Sequence, residues 1–134
     1  MEKGDKGMMG PGTGVVFLPC SNIRETEAFY HEKLGMPVIE RQSGNLCVFD
    51  TGYGYWGFCQ YEDGRSLPSG PQGVCLSLNL GSEDEVRQAY ERLKDSCQVY
   101  RKPARHPHFP VFSFFLTDPD GYLVEFQKTF DRSL

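Results

Sequence analysis

Apolar residues recur along this chain in two rhythms, one of period two and one near 3.6, and together they predict a repeating order of elements. Residues 15–18 are β-branched and apolar and read as a strand. Ser21 or Asn22 is placed to cap the helix that follows, with Glu25 in its first turn. Ile23, Thr26, Phe29, Tyr30 and Leu34 then fall on one helical face, Gly35 ends the helix, and Pro37 follows. Residues 38–41, 46–50 and 53–61 are strand-like, with turns at Ser43-Gly44-Asn45 and Thr51-Gly52. The first order is therefore strand, helix and three strands.

Residues 62–72 form an acidic, then Gly, Pro and Ser-containing linker, after which the order begins again. Residues 74–80 read as a strand. Ser82 caps a helix through Lys94 whose apolar face carries Val86, Ala89, Tyr90 and Leu93. Residues 97–101, 111–116 and 122–127 close the second half as strands. The halves also echo each other in residues. Ala28-Phe29 corresponds to Ala89-Tyr90. Gly54-Tyr55 stands six residues before Gln60, as Gly121-Tyr122 stands six before Gln127. Such a repeat indicates a duplicated unit. The expected fold is α+β, two tandem βαβββ modules at 14–62 and 73–130 within one domain spanning 14–130, preceded by a flexible tail at 1–13.

Two motifs carry a family resemblance. Asn22-Ile23-Arg24-Glu25-Thr26-Glu27-Ala28-Phe29-Tyr30, followed by Leu34-Gly35, resembles the first-module helix of the vicinal-oxygen-chelate superfamily of glyoxalases, bleomycin-resistance proteins and extradiol dioxygenases. Asp118-Pro119-Asp120-Gly121-Tyr122-Leu123-Val124-Glu125-Phe126 resembles its closing hairpin. That segment has its own physics: Pro second and Gly last favour a tight turn into a strand. The resemblance implies that the two modules curl into a half-open cleft. In metal-dependent members, it further implies four cleft ligands, from the first and last strand of each module, that hold a divalent Lewis acid.

Carried onto this chain, those positions read Val15, Phe58, Cys75 and Glu125. Valine and phenylalanine cannot ligate, and a thiol with one carboxylate is a poor set for a hard cation. No cofactor is expected, and a divalent metal is disfavoured. Strand alternation then assigns the cleft lining. Leu123, Glu125 and Gln127 share one face. By the repeat, Trp56, Phe58 and Gln60 are expected to face inward as well, together with Phe17 from the first strand and Cys75, Ser77 and Asn79 from the fifth. A mostly apolar lining with a few polar groups suits a small molecule. Trp56 is the expected stacking partner for a flat or cationic ligand. Glu125 is the expected general acid or base, or the partner of a basic ligand. Two functions follow. One is metal-independent binding of the bleomycin-resistance type; the other is a glyoxalase-like lyase or isomerase, or a dioxygenase-like enzyme, built on Glu125.

Composition narrows the surroundings. A net charge of −4 over 134 residues argues against nucleic acid. The one basic cluster, Arg101, Lys102 and Arg105 with His106 and His108, reads as a solvated loop. No apolar run approaches the ~20 residues of a membrane span, and residues 1–14 lack the apolar stretch of a signal peptide. Five cysteines without a Cys-x-x-Cys pair fit free thiols in a reducing, cytoplasmic setting. A homodimer is expected, because pairing covers exposed strand edges.

Overall fold

The computed structural model describes residues 9–70 and 73–130. The chain divides into two compact units, Met1–Leu67 and Pro68–Leu134. The first contains β1 (Val15–Pro19), α1 (Ile23–Glu27), β2 (Val38–Gln42), β3 (Leu46–Asp50) and β4 (Tyr55–Cys59). The second contains β5 (Cys75–Asn79), α2 (Glu83–Leu93), β6 (Gln98–Arg105), β7 (Val111–Thr117) and β8 (Leu123–Thr129). Each unit is one four-stranded mixed sheet, ordered β1-β4-β3-β2 and β5-β8-β7-β6. In both, the first strand runs parallel to the last and the other neighbours are antiparallel. The fold is the α+β arrangement of two repeated modules.

Both helices start where the sequence places their caps. Asn22 Oδ1 accepts from the backbone N–H groups of Arg24 and Glu25 at 3.0 and 3.2 Å. Ser82 Oγ accepts from Glu85 N–H at 3.1 Å, while Glu85 Oε1 accepts from Gly81 N–H at 2.8 Å. The Asn22 and Ser82 bonds satisfy donors that the first helical turn leaves open, and Glu85 reaches back to the N–H before the cap. The first helix differs from expectation in its second half. Residues Ala28–Lys33 wind as a π-helix, with Leu34 N–H donating to Phe29 C=O at 3.0 Å. The wider turn keeps Phe29 and Tyr30 buried and leaves Leu34 half-buried. Gly35, at φ 84°, then reverses the chain in a left-handed conformation that costs glycine little.

Each core lies between a sheet and its own helix. In the first unit Tyr30 stacks on Phe58, ring centroids 4.6 Å apart, and meets Trp56 edge-on at 6.1 Å. In the second, Phe126 stacks on Phe114 at 4.9 Å, and Tyr90 of α2 meets Phe114 at 5.4 Å. Every sheet therefore has a helix-covered face and an opposite, open face.

Several strand ends differ from expectation, and two of the shifts have a visible local cause. The fourth strand begins at Tyr55 rather than Tyr53, because Thr51 Oγ1 draws the N–H groups of Tyr53 and Gly54 into a turn. The sixth strand runs on to Arg105 through Pro103, which an edge strand tolerates since the missing N–H has no ladder partner to lose. Of the expected tail, residues 1–8 lie outside the described part. The rest includes a turn at Gly10–Thr13, whose Gly10 N–H donates to Tyr55 Oη at 3.0 Å. Of the expected linker, Pro71 and Gln72 lie outside the described residues.

Candidate functional site

The open face of the second sheet gathers the polar groups. The ladder pairs Cys75 with Leu123, Ser77 with Glu125 and Asn79 with Gln127, so these six side chains share one face. Ser77 Oγ donates to Glu125 Oε1 at 2.7 Å, and Gln127 Nε2 donates to Asn79 Oδ1 at 2.8 Å. Cys75 Sγ lies 3.7 Å from Ser77 Oγ. Burial, opposed by the Ser77 contact and reinforced by the Glu125 charge, holds the Cys75 thiol above its ordinary value, which makes it a poor nucleophile.

Of these groups Cys75, Glu125 and Gln127 line an open pocket of about 540 Å³. Phe109, Val111 and Phe115 form its apolar wall, and Glu125, Gln127 and His106 its polar one. Phe115 is the ladder partner of Glu125 on β7, so alternation already puts it on this face. His106 arrives by a different route. Its Nδ1 accepts from the backbone N–H groups of His108 and Phe109 at 3.0 and 3.1 Å, which ties the β6–β7 loop to its ring. In the neutral ring this arrangement puts the hydrogen on Nε2. His106 is a loop residue, as its sequence setting predicts, and it also organises that loop and lines the pocket. Only the folded hairpin brings it there, so no local signal in the sequence marks it.

The open face of the first sheet is different. Its ladder pairs Val15 with Tyr55, Val16 with Trp56, Phe17 with Gly57 and Leu18 with Phe58. Trp56 and Phe58 therefore sit on the helix-covered face, against Tyr30, and not on the open face expected of them. Gln60 follows the same parity, and its Oε1 accepts from Ile23 N–H at 2.9 Å at the start of α1. The correction has one cause. The Gly-Tyr echo aligns Phe58 with Glu125, whereas the ladders align Gly57 with Glu125, and a shift of one residue moves a whole strand's side chains to the other face. Phe17 stays on the open face, 45 % exposed.

The donor set can now be tested against a divalent metal. On the open face of the first sheet Val15, Phe17 and Gly57 carry no side-chain ligand atom. On that of the second, Cys75, Ser77 and Glu125 include a single carboxylate. Among the described residues no group of three His, Cys, Asp or Glu side chains is close enough to hold an ion. These residues do not fit the oxygen-rich and imidazole-rich shell such a metal needs.

Asp118 Oδ1 accepts from Asp120 N–H at 2.8 Å and Tyr122 N–H at 3.0 Å, Gly121 adopts φ 89°, and the turn delivers Glu125 to the open face. A family model for the Glyoxalase/Bleomycin resistance protein/Dioxygenase superfamily matches residues 12–126. The chain belongs to this superfamily. Solved members of the glyoxalase/bleomycin resistance/dioxygenase fold overlay it closely. One, described as a glyoxalase/bleomycin resistance protein/dioxygenase from Nocardioides, shares 21% identity, with TM-score 0.73 over 94% of this chain and 88% of that one. Another of the same description, from Alicyclobacillus acidocaldarius, shares 21% identity, with TM-score 0.72 over 92% and 96%. A lactoylglutathione lyase from Agrobacterium tumefaciens shares 17% identity, with TM-score 0.69 over 89% and 94%. At these identities the likeness concerns the fold alone. A comparison with curated protein sequences finds no match. In this superfamily member no helix among the described residues is long and apolar enough to cross a membrane.

Proposed function

We propose that this protein binds a small organic molecule on the open face of its second sheet, without a metal, in the manner of the bleomycin-resistance branch. One observation carries the reading: Glu125, oriented by Ser77, stands in the wall of a largely apolar pocket and has no ion-pair partner among the described residues. A carboxylate in that setting is stabilised by a ligand that brings its own cation or donor, while Phe109 and Phe115 cover an apolar body. Gln127, Asn79, Ser77, Cys75 and Leu123 complete the surface under the ligand. On this reading Glu125 is a binding group.

The test uses benzylamine with benzyl alcohol as its neutral counterpart. Benzylamine is expected to raise the melting temperature and benzyl alcohol to raise it less, with the difference gone in Glu125→Gln. Equal effects of the two compounds, or an unchanged benzylamine effect in the variant, overturn the reading. Metal content of the purified protein tests the other part. Stoichiometric nickel, zinc, manganese or iron would turn the assignment to the second function, a glyoxalase-like lyase or dioxygenase-like enzyme.

Two further expectations belong to the same proposal. All five cysteines are free, which suits a reducing cytoplasm. The sheets end on the edge strands β1, β2, β5 and β6, and a homodimer would cover some of these. A monomeric mass by sedimentation at micromolar concentration counts against the dimer.

A further inference from the structure

We infer that a second pocket, on the β6 side of Phe115, is an anion subsite, so that the bound molecule carries a carboxylate or phosphate as well as the group that meets Glu125. This rests on the binding reading above and extends it to the chemical class of the ligand.

The subsite has a volume of about 390 Å³ and is lined by Arg101, Arg105, His106, Ser113 and Phe115 among others. It shares His106 and Phe115 with the Glu125 pocket. The ladder register explains why these groups meet. Arg101 pairs with Phe115 and Ala104 with Ser113, so Arg101 and Ser113 both belong to the open face. The Arg101 guanidinium lies over the Phe115 ring at 5.5 Å from its centroid. It makes no ion pair with a carboxylate among the described residues. Arg105 differs: its charge is already matched by Glu83, with Nη2 to Oε2 at 2.5 Å.

No acidic residue lines this second pocket, whereas Glu125 lines the first. Opposite charges therefore stand on either side of one aromatic ring. The lining offers an anion three kinds of donor: the fork of Arg101, the hydroxyl of the buried Ser113 and, in the neutral tautomer, the Nε2–H of His106. A guanidinium held over an aromatic ring without an ion-pair partner keeps donors available for a planar or tetrahedral anion. A cation seated here would meet Arg101 with nothing to offset the repulsion. The class of ligand that satisfies both pockets is a small zwitterion with an apolar middle. Carboxylates and phosphate monoesters share the required charge, and the experiment separates them.

The test follows backbone amide shifts of the full chain by NMR at low ionic strength. The probes are 4-methylbenzoate and phenyl phosphate for the anion, benzylamine for the cation, and 4-(aminomethyl)benzoate for both. The anions are expected to shift the amides of Arg101, His106 and Ser113, and the tighter of the two identifies the preferred group. The zwitterion is expected to bind more tightly than either single-charge probe. Arg101→Gln should weaken anion binding by about tenfold, the loss of one charge-assisted pair. Lys102→Gln, an equal charge change at an exposed neighbour outside the pocket, should leave it unchanged. Anion shifts that ignore Arg101→Gln, or that respond equally to Lys102→Gln, overturn the subsite. Benzylamine binding at Glu125 with no anion response overturns the subsite alone. An anion response without any benzylamine response at Glu125 supports the subsite and overturns the Glu125 reading.

Discussion

Phe17 lies over Gly57 so closely that a Cβ on the glycine would meet the ring Cε1 at 2.4 Å. The pair occupies the third rung of the β1–β4 ladder, the place that Ser77 and Glu125 hold in the β5–β8 ladder. One module uses this rung for a carboxylate and its hydroxyl partner; the other uses it for an aromatic ring on bare backbone. Gly57→Ala should therefore displace Phe17 and destabilise the protein by about 1 kcal/mol, the low end for overpacking because the ring is half exposed and can swing aside. In a Phe17→Ala background the same change should be neutral or stabilising, since alanine suits a strand better than glycine. Urea denaturation of the four proteins measures the coupling, expected at about 1 kcal/mol or more. Additive effects would remove the contact from the account.

The face assignment of β4 makes a separate demand. Phe58 is fully buried against Tyr30, so Phe58→Ala should cost about 3–5 kcal/mol of folding stability, as truncations of buried aromatics do. A loss below about 1 kcal/mol, typical of a surface position, would put Phe58 back on the open face.

Acid stability should depend on Glu27. Arg41 donates to this carboxylate from Nε at 3.0 Å and Nη2 at 2.6 Å, and these bonds hold its pKa below the ordinary 4.5. A carboxyl lowered on folding adds stability that is complete above its unfolded value and is lost as pH falls through the folded one. With side chains 25% and 60% exposed, the pair is screened, and Glu27→Gln should cost about 0.2–1 kcal/mol at pH 7. The gap between wild type and variant should close below pH 4.5. Denaturation midpoints taken across the acid range check it; a gap that grows on acidification reverses the sign.

Cys47 should resist alkylation in the native state. Burial above all, and then the neighbouring Glu27 charge, push its thiol up to about 12. Iodoacetamide at pH 8 followed by mass spectrometry should find Cys47 unmodified until denaturant is added. Modification at the rate of an exposed thiol would mean that this part of the core opens readily.

Much of the fold was legible because its signals are local. The caps at Asn22 and Ser82, the Asp118–Gly121 turn and the period-two strands each depend on a few neighbouring residues. The second-module face was legible too, since Leu123, Glu125 and Gln127 alternate within one strand. Trp56, Phe58 and Gln60 were misplaced because their face was inferred by aligning two halves on a Gly-Tyr echo. Tyr122 is fully buried and Tyr55 is not, so the matching letters stand at different phases of their strands.

By itself, then, the sequence determined the two βαβββ modules and, through two short motifs, the family resemblance that singled out Glu125. The modules follow from hydrophobic period, capping and turn chemistry over short stretches. Tertiary structure alone decided which face each first-module aromatic takes, that His106 walls the Glu125 pocket, and that Arg101 lies beside Phe115. The physical reason is that a ladder's register and a loop's return are set by packing between distant segments, and a single residue of slip reverses every side chain on a strand.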